Sequence, residues 1–521
     1  MIRFENVTFA YPNGATVLDN LGLHIERGEK VSIVGNNGSG KTTLALLING
    51  VLKASSGKIN IDGLDPADEN DNRLLKHKVG LVFQNPDNQL VSTTVEREVA
   101  FSLENMNVPH DEMHRRVERM LDFFGLADFR KKLTSDLSGG EKQRLALAAV
   151  MVAEPEILIF DEPGSFLDET GKRLLNDAVD LLLAEKPDLT VLRITQYADE
   201  AERSPRMIVF EDGRITADND PDKIFTDSQS LETLGVTVPL KYRISRPTNQ
   251  TTTSIRPTAG ANEAKASIRL NSVAFHYNGK SGHRLFENLD LKIDSDKVYG
   301  LVGPSGSGKT TLIQLMAGLL KPDSGKIEYD GFTPASGRLA VSFQQPERQF
   351  FLDTVDKEIR FGAENLGLEH IDQISEKCYT LIGLEKQVYA YRNPFTLSGG
   401  EKRKLAFGTI LSLTPNFIFF DEPTCGLDRR GVVKFNRLVR RLSDDGVGIV
   451  VISHFGDIIL ELADEIIDLE KGRINSIQKK DDFFRRCDYS GYLSTPDLIA
   501  YQMEKFGEIK YFNEDEFRHN L

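Results

Sequence analysis

The chain has 521 residues, room for two large domains or roughly three or four of ordinary size. Hydrophobic residues make up 40% and charged residues 27%, a balance that fills real cores and excludes a disordered chain. A formal net charge of −14 argues against a general nucleic-acid binder, whose phosphate contacts need clustered Lys and Arg, and no apolar run approaches the ~20 residues of a membrane helix, so this chain is not expected to form a pore by itself.

In chain order, IRFENVTFAY (2–11) alternates as a strand rather than as a signal peptide, and VSIVG (31–35) is a short apolar strand. It leads into the glycine loop GNNGSGKTT (35–43) and the apolar helix TTLALLINGVL (42–52). HRRVERMLDFFGL (114–126) has helical periodicity and predicts a separate helical subdomain, followed by LSGGEKQR (137–144) and the apolar strand EILIFDE (156–162). The same series then returns. SIRLNSVAFHY (267–277), VYGLVG (298–303), GPSGSGKTT (303–311), TTLIQLMAGLL (310–320), ISEKCYTLIGL (374–384), LSGGEKRK (397–404) and NFIFFDE (416–422) repeat it, so the chain is a tandem duplication. Strands alternating with helices predict a parallel sheet flanked by helices in each copy.

The first domain is placed at 1–242, with its core at 1–216 and a short helical tail at 217–242. Residues 243–267, rich in Thr, Ser, Asn, Ala and Pro, predict a flexible linker reaching roughly 25 Å on average. The second domain follows at 268–476, and the extension at 477–521 carries no assignable motif. Cys378, Cys425 and Cys487 show neither metal-ligand spacing nor a paired framework, which suits a reducing cytosol.

Gly35, Gly40, Lys41 and Thr42 complete GxxxxGK[ST], as do Gly303, Gly308, Lys309 and Thr310, each between a strand and a helix. Glycines let backbone N–H groups turn toward a β-phosphate at a helix N-terminus, the lysine neutralises β/γ charge, and the threonine hydroxyl ligates Mg²⁺. Asp161 and Asp421 each close an apolar strand, where an unpaired carboxylate is costly, so the nucleotide's Mg²⁺ is the expected partner. Glu162 and Glu422 are placed to polarise the attacking water.

LSGGE together with the phosphate loop and the Asp-Glu strand resembles the signature set of the ATP-binding-cassette ATPases, over both halves of the chain. The resemblance implies an α/β fold in each copy: a mixed-sheet RecA-like core, an antiparallel β subdomain and a helical signature subdomain. It also implies ATP and Mg²⁺ as cofactors. The nucleotide is expected on Gly35, Asn36, Asn37, Gly38, Ser39, Gly40, Lys41, Thr42 and Thr43, and on Gly303, Pro304, Ser305, Gly306, Ser307, Gly308, Lys309, Thr310 and Thr311. Tyr11 and Tyr277 match the aromatic that stacks on adenine, Gln84 and Gln344 the glutamine that senses Mg²⁺, and His454 the histidine that holds the γ-phosphate; Gln196 stands in its place in the first copy. The expected metal set is Thr42, Gln84 and Asp161, and Thr310, Gln344 and Asp421.

In that family the signature turn of one cassette caps the ATP of the other, so Ser398, Gly399 and Gly400 are expected to complete the first site and Ser138, Gly139 and Gly140 the second. The two cassettes then pair within one chain. The sites are unequal: Gln196 can donate a neutral hydrogen bond but cannot carry charge or relay a proton, so the site with His454 is expected to hydrolyse faster. A second departure complicates this. The loop after Glu162 has Phe166 where the second copy has Gly426, and in the family that loop crosses to the opposite site.

FQNPDNQLVSTTVEREVAF (83–101), FQQPERQFFLDTVDKEIRF (343–361) and the tail at 223–244 look like segments of the energy-coupling-factor importers and their cobalt and nickel relatives. That implies an integral-membrane coupling subunit and a substrate-binding membrane subunit as partners, attachment to the cytoplasmic face of the membrane, no nucleic acid, and a vitamin or transition-metal ion as cargo. Two alternatives stand beside it. A tandem cassette protein acting on ribosomes or DNA would usually carry a long charged helical linker or a cysteine-rich cluster, and a regulator that binds ATP without turnover would lack one of the carboxylates that Glu162 and Glu422 supply.

Overall fold

In the computed structural model, residues 1–520 are described except 13, 15, 165–166, 168, 245–265, 278–283, 335–336, 344–348, 487 and 490. The opening strand Ile2–Ala10 buries Ile2, Phe4, Val7 and Phe9. It pairs antiparallel with Thr16–Ile25 on one side and Ser56–Ile61 on the other, Ile2 lying opposite both Ile25 and Ile61. Beneath this small sheet lies a six-stranded one in the order Val79–Val82, Ile157–Asp161, Thr190–Ile194, Lys30–Gly35, Arg206–Glu211, Arg214–Asn219. All neighbours are parallel except the last pair. Strands such as Ile157–Asp161 are buried along their whole length, which is why they read as unbroken apolar runs.

The second copy repeats the plan. Ser267–His276 lies between Arg284–Asp294 and Ser324–Asp330, and the larger sheet runs Leu339–Ser342, Phe417–Asp421, Gly448–Ile452, Val298–Val302, Glu465–Glu470, Arg473–Lys479. The chain divides into two compact units, Met1–Ser245 with Asp428–Arg430, and Arg246–Leu427 with Gly431–Leu521. In both, the phosphate-loop strand sits inside the sheet with strand order reversing around it, so its carboxyl end and those of the neighbouring strands open at one edge, the usual ligand crevice of an open α/β sheet.

The helices Val95–Asn105, His110–Phe123 and Gly139–Met151 share one core with the sheet: Val99, Leu103, Val117, Leu121, Leu145 and Leu147 pack with Leu158 and Phe160. In the second unit Ile359, Cys378, Ile382, Leu405 and Phe407 do the same with Ile418 and Phe420. Cys378 is buried there, and burial pushes its thiol up to about 12. A thiol with so little thiolate at neutral pH is expected to resist iodoacetamide in the folded chain and to react only after denaturation, which peptide mapping would read directly.

Element ends differ from the boundaries placed from sequence at four points. The last strand of each sheet, Arg214–Asn219 and Arg473–Lys479, continues past residues 216 and 476, because its hairpin pairing to Arg206–Glu211 and Glu465–Glu470 carries the core on. Arg243 belongs to the helix Leu240–Arg243 and Ser267 opens a strand, so both leave the proposed linker. Residues 245–265 of that linker, like Cys487, lie outside the described residues. The tail after Asn219 packs Phe225, Leu231, Val236 and Val238 against Val34, Met207 and Val209. The extension forms helices Lys480–Arg485, Asp497–Phe506 and Glu514–His519; Phe483, Phe484 and Tyr489 cluster in its interior, and Phe517 packs on Tyr501 and Phe506. Among the described residues no helix is long and apolar enough to cross a membrane.

Candidate active site

Each phosphate loop leaves its strand through a glycine that nothing else could replace. Gly35 has φ +154, and a Cβ there would lie 2.2 Å from Phe210 O; Gly303 has φ +145, with Leu469 O at 1.9 Å. The loop is wedged against the adjacent strand before it turns into the helix Lys41–Ile48 or Lys309–Met316. The lysines fold back over it. Lys41 Nζ donates to Gly35 O at 2.9 Å and Asn36 O at 2.8 Å, and Lys309 Nζ to Gly303 O at 2.7 Å and Pro304 O at 2.9 Å. Burial pushes the Lys41 ammonium down, and the nearby Glu162 and Asp161 carboxylates oppose that.

Thr42 Oγ1 donates to Asp161 Oδ2 at 2.9 Å, and Thr310 Oγ1 to Asp421 Oδ2 at 2.8 Å. Burial holds both aspartate carboxyls above their usual range, partly offset by the threonine and the lysine. A buried carboxylate and a hydroxyl, both hard oxygen donors, suit Mg²⁺. Among the described residues no cluster of three or more His, Cys, Asp or Glu side chains could hold a metal.

The two glutamates share an unusual backbone. Glu162 and Glu422 sit at φ 50 and 49, the left-handed region that non-glycine residues seldom adopt, and both are buried. Their amides donate to Ile194 O at 3.0 Å and Ile452 O at 3.1 Å, which fixes the carboxylates at the strand ends. Their partners differ. Glu162 Oε2 accepts from Gln84 Nε2 at 3.0 Å and, more weakly, from Gln196 Nε2 at 3.5 Å. Glu422 Oε1 faces His454 Nε2 at 3.2 Å.

Tyr11 and Tyr277 are exposed over 37% and 46% of their surface, leaving a ring face open, while their hydroxyls meet Thr43 Oγ1 at 3.3 Å and Thr311 Oγ1 at 2.8 Å. Ser138 and Ser398 cap their helices in reciprocal boxes with Glu141 and Glu401, with Gly139 and Gly399 exposed beside them. The glutamates lie below their usual range: burial raises them, and hydrogen bonds from Ser138 or from Ser398 and Tyr389 outweigh it. Gln344 and Phe166 lie outside the described residues.

Sequence reasoning missed several supporting side chains. Arg403, buried in the signature helix, donates to Pro423 O at 2.9 Å and to Cys425 O, tying down the loop after Glu422. Gln143 occupies that place in the first unit and turns to Phe83 O at 3.4 Å instead. Behind Gln196 lie Arg193 and Glu200, buried charges where the second copy has Val451 and Ile458. Arg193 Nη1 donates to Asn176 Oδ1 at 3.0 Å and Glu200 Oε2 accepts from Thr195 at 2.7 Å. An arginine inside an apolar strand was the available signal.

Glycine loop, lysine, threonine–aspartate pair and glutamate stand together twice at the carboxyl edge of a parallel sheet, which defines a phosphate-loop nucleoside triphosphatase. The chain belongs to the ABC transporter family: the family's sequence profile matches residues 18–165 and 286–425. A Methanosarcina mazei protein provisionally named an ABC transporter ATP-binding protein is 32% identical over 91% of this chain and 88% of its own length. The Bacillus subtilis protein provisionally named the HMP/thiamine import ATP-binding protein YkoD is 30% identical over 90% of each. Among solved structures, cbiO1 from Clostridium perfringens, described as part of the ABC transporter complex cbiONQ, aligns with 33% identity and a TM-score of 0.41, covering 47% of this chain and 98% of its own. The protein is an ATP-hydrolysing member of this family with two cassettes in one chain.

Proposed function

We propose that the protein is the energy-coupling subunit of a membrane importer of the energy-coupling-factor type. It sits on the cytoplasmic face and powers uptake of a vitamin or transition-metal ion through a membrane coupling subunit and a substrate-binding membrane subunit. The observation that carries this reading is a pair of apolar surfaces built identically in both Gln segments. The buried Glu98 carboxylate accepts the amides of Val91 at 2.9 Å and Ser92 at 2.5 Å, and Glu358 those of Phe351 and Leu352, both at 2.6 Å. These bonds hold the loop at Val91 (66% exposed) and Phe351 (62%), with Phe361 packed edge-on against Phe351 at 4.8 Å and Phe101 also exposed. A buried charge spent on exposing an apolar side chain in both copies marks a place for apolar partner helices. The resemblance of these segments to the importer group, and the import role in the YkoD name, support the same reading.

For the reaction, Lys309, Thr310 and Asp421 are assigned to the triphosphate and its Mg²⁺, Tyr277 to the adenine face, and Glu422 to the proton of the attacking water. Lys41, Thr42, Asp161, Tyr11 and Glu162 take the matching parts in the first copy, and Ser138–Gly140 and Ser398–Gly400 are assigned to γ-phosphate oxygens through hydroxyl and backbone N–H groups. Mg²⁺, when bound, neutralises charge developing on the transferred phosphoryl group. Glu422 has an imidazole beside it that can hold or pass a proton, whereas Glu162 has two amides that cannot. The second copy is therefore the faster site.

Val91→Asp and Phe351→Asp should each leave ATP turnover of the isolated chain within about twofold and weaken binding to membrane vesicles of the source organism by about ten- to a hundredfold. Unchanged vesicle binding by the double variant would refute the docking surface.

A further inference from the structure

The residues after Lys479 have no assigned part, yet they reach the imidazole beside Glu422. The strand Gly448–Ile452 ends at Ser453 and His454, where the chain turns into the helix Gly456–Leu462. One wall of that turn is the extension. Ser494 N–H donates to His454 O at 3.0 Å, Gly456 N–H to Ser494 Oγ at 2.9 Å, and Asp497 N–H to Asp457 Oδ1 at 3.0 Å. The approach is so close that a Cβ on Gly456 would lie 2.0 Å from Ser494 O. Two residues earlier, Tyr492 O stands 3.3 Å from His454 Nδ1, while Nε2 faces Glu422 Oε1 at 3.2 Å. The ring thus lies between the Glu422 carboxylate on its Nε2 side and the Tyr492 main-chain carbonyl on its Nδ1 side.

The segment that supplies this carbonyl is anchored at both levels. Phe483, Phe484 and Tyr489 are buried to within 1%, and Tyr492 donates its hydroxyl to Asp468 Oδ1 at 3.1 Å. Asp468 lies in Glu465–Glu470, the strand paired with the phosphate-loop strand. The first unit follows the same path only in part. Thr237 N–H donates to Gln196 O at 3.3 Å, but Gln196 Oε1 is buried without a hydrogen-bond partner among the described residues.

We propose that Tyr492–Pro496 is a positioning element for ATP turnover at the second cassette: the Tyr492 carbonyl and the Ser494 amide fix the rotation of the His454 ring so that Nε2 faces Glu422. This rests on the reading that His454 serves the reaction. The test is a double-mutant cycle in the full chain, with Gly456→Ala and Tyr492→Phe made singly and each combined with His454→Gln. Gly456→Ala should push the segment away and lower kcat about tenfold, and Tyr492→Phe should lower it about threefold, with KM for ATP within about twofold. Melting temperatures should stay within a few degrees, and neither change should lower kcat further once His454 is Gln. The proposal is overturned if both single variants keep the parental kcat, or if their losses recur in full beside His454→Gln. If His454→Gln alone turns ATP over at the parental rate, the role of His454 falls and the proposal with it.

Discussion

Glu422→Gln is expected to remove nearly all ATP turnover, about a hundredfold or more, while Glu162→Gln leaves most of it. Both carboxylates are buried at strained strand ends, so backbone geometry does not separate them. What separates them is the neighbour that must manage the proton. His454 stands 3.2 Å from Glu422, and the loop behind that glutamate is fastened by Arg403 to Pro423 O. Glu162 Oε2 is already occupied by Gln84, and Gln196 adds a longer, neutral contact. Steady-state turnover of the two variants decides the matter. Equal losses would show that Gln196 is a tolerated replacement and that the two sites work alike.

Gly303→Ala should be severely damaging although it removes no functional group. Its Cβ would lie 1.9 Å from Leu469 O and 3.0 Å from Leu469 C, inside the sheet, where no flexible side chain can yield. Either the loop lifts away or the strand Glu465–Glu470 shifts, at a cost of about 1–3 kcal/mol or more, and the backbone N–H cradle for phosphate is lost with it. Titration with a fluorescent ATP analogue should show one of the two loops no longer binding while the other continues. Gly306→Ala is the control: its φ of +78 is strained, but nothing lies within 4 Å, so the loop should keep its place and bind nucleotide with reduced affinity. Equal binding by Gly303→Ala and the parent would contradict the wedged loop.

Much of this site could be read from residues alone because it is built from local sequence. A phosphate loop is nine consecutive residues between a strand and a helix, and Asp161–Glu162 and Asp421–Glu422 end strands whose apolar runs are unmistakable. Matching the two copies shows Gln196 standing against His454, whereas the expected parts of Tyr11, Tyr277 and His454 came from the family resemblance. What the sequence could not carry was contact between distant segments. Nothing in YLSTP announces that Tyr492 O will meet His454 Nδ1, thirty-eight residues away in the chain, since a main-chain carbonyl has no residue signature. Arg403 reads as one more charge on an amphipathic helix until burial turns it toward Pro423 O. The left-handed backbone of Glu162 and Glu422 is equally silent, because glutamate is not a residue that favours it. The shifted ends of both cores come from hairpin pairing, which an exposed, alternating strand such as Arg473–Lys479 signals only weakly.

If the proposed function holds, ATP turnover by this chain drives a membrane partner. The most direct measurement is purification of the native chain from detergent-solubilised membranes, with the recovered proteins identified and the ATPase rate read before and after their removal. Small integral-membrane subunits should be recovered in fixed ratio and released by Val91→Asp with Phe351→Asp. Recovery of ribosomes or nucleic acid in their place would contradict it.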